Sequence, residues 1–304
     1  MRKIVRKLLN RFFLRSLDDI KIQKGKIFEL KVQKNLKNFE NLNEVYFKVF
    51  SQDFEDGIIQ YILKNLKISN VKFVEIGTQD YSESNTRYIF ETMRCDGLII
   101  DPYPDLEKKI KSFCKIWQNN LKIHNDYINS ENINKTLKEY SFDKDIDIFS
   151  LDIDGIDYWV LNEIKPKISK IFIVEYNPYF GPRKEVTAPN IKKFDRFKYH
   201  SSGFCWGASL KAIINLMKRK GYYFIGTNRL NCNAFFIVKE LINKINIKLP
   251  STKDLEKYTN TKFSVLKDKY KKNKSPQDIK RQIKKILVFD LKKKLTTPFE
   301  EIKD

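Results

Sequence analysis

Apolar positions in this chain fall into short continuous runs separated by stretches with helical spacing. Val71, Phe73, Val74 and Ile76 make one compact, β-rich run, the pattern of a strand buried on both faces of a parallel sheet. Runs of the same kind recur at residues 97–100, 122–125, 146–151 and 170–174. Between them, residues 85–93, 105–113, 132–140 and 158–164 carry helical spacing. Strand then helix, repeated in this way, predicts an α/β fold: a Rossmann-like doubly wound sheet, mostly parallel, with helices on both faces. A helix over 51–66 precedes it, with Ser51 or Asp53 as candidate caps. Its acids Glu55 and Asp56 suit a helix N-terminus or a pocket wall. After the sheet, residues 207–220 predict a helix closed by Gly221, and 222–226 with 234–238 predict an antiparallel hairpin. Residues 178–206 break the rhythm with Pro178, Gly181, Pro182 and Pro189, as a long loop or lid over the strand ends would.

The two flanks differ from this middle. Residues 2–17 place Ile4, Leu8, Leu9, Phe12 and Phe13 on one helical face and Arg2, Arg6, Lys7, Arg11 and Arg15 on the other. That is a basic amphipathic helix of the kind that lies on an anionic membrane, or one that docks its apolar face on the protein itself. Residues 18–42 predict a linker or ragged helix, so 1–44 is read as an extension of a domain at 45–240. Residues 241–304 form a lysine-rich tail with helical patches, notably at 279–291. The net charge of +21 sits mostly in the flanks: +9 over residues 1–39 and +8 over 251–304, against +4 over 40–250. Nucleic-acid binding by the middle is therefore not expected, and an anionic surface is a candidate partner of the flanks. Four cysteines, none in a CxxC pair, argue against a zinc or disulfide scaffold and for a reducing compartment. No run approaches the roughly 20 apolar residues of a membrane span. The expected location is cytoplasmic, peripheral to the inner face of the membrane if the first helix binds lipid.

Candidate chemistry lies where ligands sit in such sheets, at the carboxyl ends of the strands. Nearly every predicted strand ends in an acid: Glu75, Asp101, Asp126, the pair Asp152 and Asp154, and Glu175. A carboxylate after the second strand, Asp101, can accept both hydroxyls of a ribose held over the first turn. The first turn has Gly77 but no GxGxxG, which disfavours a nicotinamide dinucleotide. Asp152, Asp154 and Glu175 are candidate general bases. Their DxD spacing also suits a divalent cation such as Mg²⁺. His124 reads as a strand residue, His200 as a second candidate base in the lid. Trp159, Tyr176, Tyr179, Phe180 and Trp206 are candidates for stacking on a ligand or for packing under the lid.

The element order, the turn E-I-G-T-x-D at 75–80 and the acid after the second strand resemble class I S-adenosylmethionine-dependent methyltransferases. Within them, SQDFEDGI (51–58), VEIGTQD (74–80), SLDIDGIDYWV (150–160), VEYNPYFGP (174–182), WGASL (206–210) and NAFF (233–236) look like an FkbM-related bacterial group. The resemblance covers about residues 45–240. It implies a seven-stranded sheet closed by an antiparallel hairpin and S-adenosylmethionine as cofactor. By position, Glu75 and Gly77 would line the methionine part, Thr78, Gln79 and Asp80 the turn around it, Asp101 the ribose and Asp126 the adenine. Asp152, Asp154 and Glu175 would face the acceptor. It further implies O-methylation of a small molecule or glycan, a sugar hydroxyl first. The alternatives are a metal-dependent or non-catalytic use of the fold, and an RNA methyltransferase using the basic flanks. The usual first turn of the superfamily has two or three glycines, and this one has a single glycine.

Overall fold

The structure, a computed structural model, describes residues 2–45, 47–251, 253, 255–259 and 275–303, without the side chains of residues 2–12, 14 and 276. The elements in chain order are α1 (Arg2–Lys34), α2 (Glu55–Leu66), β1 (Asn70–Ile76), α3 (Arg87–Thr92), β2 (Arg94–Ile100), α4 (Leu106–Phe113) and β3 (Asn120–His124). They continue with α5 (Ile133–Glu139), β4 (Ile146–Leu151), α6 (Asp157–Glu163), β5 (Ser169–Glu175), β6 (Val186–Thr187) and α7 (Arg196–Tyr199). Last come α8 (Leu210–Arg219), β7 (Tyr222–Thr227), β8 (Asn233–Val238), α9 (Glu256–Thr259), α10 (Pro276–Ile283), β9 (Leu287–Asp290) and β10 (Leu295–Pro298).

Among the described residues, one sheet has seven strands in the order β3-β2-β1-β4-β5-β8-β7. β1 to β5 are mutually parallel, and β8 runs antiparallel to both β5 and β7. This is the predicted doubly wound sheet with its closing hairpin. The order reverses at β1, whose neighbours are β2 and β4, and that switch point opens the crevice in which α/β sheets hold ligands.

Alternation along the central strands divides the core. Val74 and Ile76 of β1, Leu98 and Ile100 of β2, and Phe172 and Val174 of β5 face one layer, with α5, α6 and α8. Val71, Phe73, Ile99, Ile171 and Ile173 face the other, with α2, α3 and part of α1. A period of two filled with apolar residues on both faces is what makes these runs read as continuous.

Three local readings change. Residues 18–34 are not a linker: α1 continues through them and packs on α2, with Ile22 and Val32 buried. The apolar face drawn through Ile4, Leu8, Leu9 and Phe12 lies outside the described side chains; Phe13 is 62% exposed. Ahead of α2, the Ser51 hydroxyl accepts from the Asp56 amide, whereas Asp53 accepts from Leu230 N–H. Glu55 and Asp56 are buried and line neither cleft at the strand ends. Asp56 takes the amides of Val49, Phe50 and Ser51, and burial pushes its carboxyl up to about 6. In the tail, residues 287–290 are strand rather than helix. β9 pairs with β10 and also with β6 in the lid, as a three-stranded antiparallel sheet. Ile279, Ile283, Ile286 and Val288 thereby form a third core with Phe180, Val186 and Phe204 of the lid.

Ile283→Ala removes a fully buried side chain from that third core, at a cost of about 2–5 kcal/mol. The expected outcome is faster tryptic cleavage at Lys192, Lys193 or Lys198, with cleavage across β1 to β5 unchanged. Equal lid cleavage in the two proteins would show that the tail does not hold the lid.

Candidate functional site

Two adjoining clefts open at the carboxyl ends of the parallel strands. The larger encloses about 390 Å³, within the range of small-molecule sites, and the smaller about 130 Å³. Gln52, Gly77, Gln79 and Asp152 line both. The larger cleft is walled by the ends of β1 to β5 and, on its open side, by Lys193, Phe194 and Arg196 of the lid.

The floor is set by a close approach of two turns. Gly77 has φ +87°, and a Cβ added there would stand 1.4 Å from the Asp152 carbonyl oxygen. Backbone bonds fix this approach: Gly77 N–H donates to Ile100 O, and Asp152 N–H to Ile76 O, each at 3.0 Å. Glycine is required both for the left-handed φ and for the absence of a side chain. The single glycine of the turn is thus the one that the neighbouring strand demands.

Three acids gather beyond this floor. Asp152, Asp154 and Glu175 present carboxylate oxygens within 4.8 Å of one another. Burial raises Asp152 well above the usual carboxylate range, and the charges of Asp154 and Asp157 push in the same direction. Burial also raises Glu175 strongly, followed by the charges of Asp152, Asp154 and Asp157. Burial and mutual repulsion thus raise both carboxyls of the pair, so a proton or a cation in their midst is favoured. Glu175 Oε2 is buried without a hydrogen-bond partner. Asp154 holds φ +53° and is bound by Arg196 at 2.7 Å. The geometry offers a base, an acid and a hard-oxygen donor set in one place.

The predicted site residues separate into three groups. Asp101 lines the larger cleft, and its two oxygens accept the amides of Gln79 and Tyr103, both at 2.7 Å; burial raises its pKa. Asp126 lines the same cleft from the end of β3. Glu75, Thr78 and Asp80 line the smaller one. Glu75 is committed there: it accepts from the Ser84 hydroxyl at 2.7 Å and from the amides of Asn85 and Thr86 at 2.8 and 2.9 Å. It thus fixes the loop into α3 and keeps no oxygen free of a donor. Burial acts to raise Asp80, but the bonds from Ser82 and Lys109 outweigh it and lower its pKa. His124 and His200 line neither cleft; His124 meets the Tyr140 hydroxyl at 3.4 Å and His200 the Ser202 hydroxyl at 2.8 Å. Tyr176, Tyr179, Phe180 and Trp206 are buried outside the clefts, which supports packing under the lid rather than stacking.

Sequence reasoning missed Asp157, Lys193, Phe194, Arg196 and Gln52. Asp157, fully buried, accepts the amides of Ile153 at 2.8 Å and Gly155 at 3.0 Å. It ties down the turn that carries Asp152 and Asp154. Its place three residues after the second acid of DxDGxD was a legible signal. The lid residues carried none, because their position depends on the tail.

No protein-family model matches the sequence, and no curated protein matches it. Among solved structures, the N-terminal domain of EvdMO1 with SAH bound aligns over 70% of this chain and 95% of its own, at 8% identity and a TM-score of 0.40. The pyocyanin biosynthetic protein PhzM aligns over 60% and 57%, at 11% identity and a TM-score of 0.31. An O-methyltransferase family protein from Burkholderia thailandensis aligns over 71% and 70%, at 10% identity and a TM-score of 0.33. The assignment of the fold rests on the strand order of the sheet, not on these alignments.

Gly77→Ala should cost about 1–2 kcal/mol from backbone strain alone, with the clash added, and the expected urea midpoint is correspondingly lower. An unchanged midpoint would refute the close approach. Glu175→Gln should act in the opposite direction. A carboxyl whose folded pKa is raised above its unfolded value lowers stability as pH rises through the window between the two. The variant is therefore expected to melt higher than the native protein at pH 8, with the gap closing toward pH 4. A variant that melts lower at pH 8 would show that the three acids do not repel.

Proposed function

We propose that the protein is an S-adenosylmethionine-dependent O-methyltransferase acting on a hydroxyl of a small molecule or glycan, with a sugar hydroxyl as the preferred class. The observation that carries this reading is the sharing of one cleft by Asp101 and the Asp152–Glu175 pair, on either side of the Gly77 turn. The residues fit such a cofactor. Asp101, held by two amides, keeps lone pairs for ribose hydroxyls. Asp126 stands farther along the same wall, where an adenine would lie. Gly77 leaves the floor clear of a side chain. A sulfonium, being cationic, is favoured beside the acids.

When bound, S-adenosylmethionine supplies an electrophilic methyl group, whose carbon–sulfur bond breaks with its electron pair left on sulfur. The chain supplies position and a base. Asp152 would accept the proton of the acceptor hydroxyl at its carboxylate. Glu175, whose carboxylate oxygen lies within 4.8 Å of that of Asp152, shares the burial that raises both carboxyls and would favour proton uptake by the pair. Asp157 and Arg196 fix the turn and Asp154. Lys193 and Phe194 form the acceptor wall. In-line positioning contributes more than acid–base chemistry to such a transfer.

A second reading has one specific observation behind it. The unpartnered, buried Glu175 Oε2, with Asp152 and Asp154 beside it, makes an oxygen donor set for Mg²⁺. A cation there would neutralise the repulsion among the acids and acidify a bound hydroxyl.

Calorimetric titration of S-adenosylmethionine tests the first reading. The expected result is a Kd on the order of micromolar, weakened about tenfold or more by Asp101→Ala. With acceptor in hand, Asp152→Asn is expected to lower kcat by about 10²–10⁴ with the melting temperature retained. No heat with S-adenosylmethionine, but saturable heat with Mg²⁺ that is lost in Glu175→Gln, would transfer the site to the second reading.

A further inference from the structure

Helix α1 carries two different faces. Its inner face is built to dock on the domain: Ile22 and Val32 are buried, and Gly25 leaves room for Tyr88 and Val49. Its acids Asp18, Asp19 and Glu29 are all paired with cations of the domain, Asp18 and Glu29 partly buried and Asp19 at the exposed edge. Asp18 binds Arg87 at 2.6 Å, Asp19 binds Lys115 at 2.9 Å, and Glu29 binds Lys64 at 2.8 Å.

The outer face is what remains. Leu17, Ile20, Lys24, Ile27, Lys31 and Lys34 succeed one another in steps of three and four residues, so they share one side of the helix. Leu30 lies beside them. The apolar members are 53%, 64%, 59% and 58% exposed for Leu17, Ile20, Ile27 and Leu30. A contiguous exposed apolar stripe on a helix marks a contact surface. The charged residues that alternate with this stripe, Lys24, Lys31 and Lys34, are cations; Lys24 and Lys31 lie over the Phe28 ring, and the exposed Asp19 is held by Lys115. Lysine stems can lie along apolar surface and extend their ammonium groups beyond it.

We propose that this outer face of α1 is a docking surface for an anionic lipid bilayer, with the leucines and isoleucines in the acyl boundary and Lys24, Lys31 and Lys34 among the headgroups. A helix with an apolar stripe and a basic rim, lying in the interface plane, binds through both terms. A second copy of the chain is the poorer occupant. It would bring the same lysines against one another, and the exposed acid of α1 nearest the face, Asp19, is already paired with Lys115. Sequence beyond Phe13 toward the N-terminus supplies further arginines and apolar residues. No helix among the described residues is long and apolar enough to cross a membrane, so the geometry is one of lying on the surface. Arg87, which holds Asp18, also donates to the Ser82 carbonyl on the rim of the smaller cleft. Docking through α1 would therefore fix the mouth of the site relative to the bilayer, whatever reaction the site performs.

The test is flotation of the full chain with vesicles of phosphatidylcholine alone and of phosphatidylcholine mixed with phosphatidylglycerol, beside sedimentation of the chain without lipid. The expected result is binding to the mixed vesicles only, weakened by salt. Both Ile20→Ser/Ile27→Ser and Lys24→Glu/Lys31→Glu/Lys34→Glu are expected to lower the partition coefficient by about tenfold or more, with melting temperature unchanged. These positions are exposed, so the fold is not at stake. Absence of binding by the native chain would overturn the proposal. So would binding that neither variant weakens, or a stable dimer that Ile20→Ser/Ile27→Ser dissociates.

Discussion

The contact between the turn after β1 and the turn after β4 is the constraint on which the site depends. Gly77 is in a left-handed conformation with the Asp152 carbonyl where its side chain would be. Two adjacent strands can release their chains into opposite layers only if those chains clear each other at the switch point, and here they clear with no atom to spare. The same contact brings the backbone of Asp152 to the edge of the cleft. The side chain of Asp152 lines both clefts there, with its carboxylate within 4.8 Å of that of Glu175 at the β5 end. Packing and chemistry have a single cause at this point.

That contact produces an electrostatic arrangement that the fold alone would not favour. Four carboxylates, Asp152, Asp154, Asp157 and Glu175, converge within a few residues of two strand ends. Asp157 is compensated by backbone amides, and Asp154 by Arg196. Asp152 and Glu175 have no such partner: burial and the neighbouring acids raise both, and the charge of Arg196 offsets this only in part at Asp152. Buried polar groups left partly satisfied are the usual mark of a site rather than of a core. Stability is surrendered here in the form that a base or a cation site requires.

The central sheet was legible because its strands are buried on both faces, so β1, β4, β5 and the hairpin declare themselves by composition. The acids at the strand ends were legible too, since parallel topology places all of them on one edge. Their partners were not. That Glu75 is held by Ser84, Asn85 and Thr86, and that Asp157 holds the turn of Asp152 and Asp154, depends on side-chain direction rather than spacing. Residues 18–42 read as a linker or a ragged helix because they are charged and weakly patterned, yet those charges are what anchor α1: Asp18, Asp19 and Glu29 each find a cation on the body. Residues 279–291 have a helical pattern, but Phe289 and Asp290 enter a strand beside a two-residue strand in the lid, with β10 on the other side. No local window contains both halves of that pairing.

The pairing of β6 with β9 also orders events in time. Val186 and Thr187 find their sheet partners about a hundred residues later, at Phe289 and Asp290. On the ribosome, the seven-stranded sheet with its floor and its acids has all its strands once Val238 has emerged. The wall that bears Lys193, Phe194 and Arg196 still lacks its support. The floor and the acids of the cleft can thus be assembled in the nascent chain while its lid wall waits for β9, so the shape of the cleft's mouth is set later than its floor.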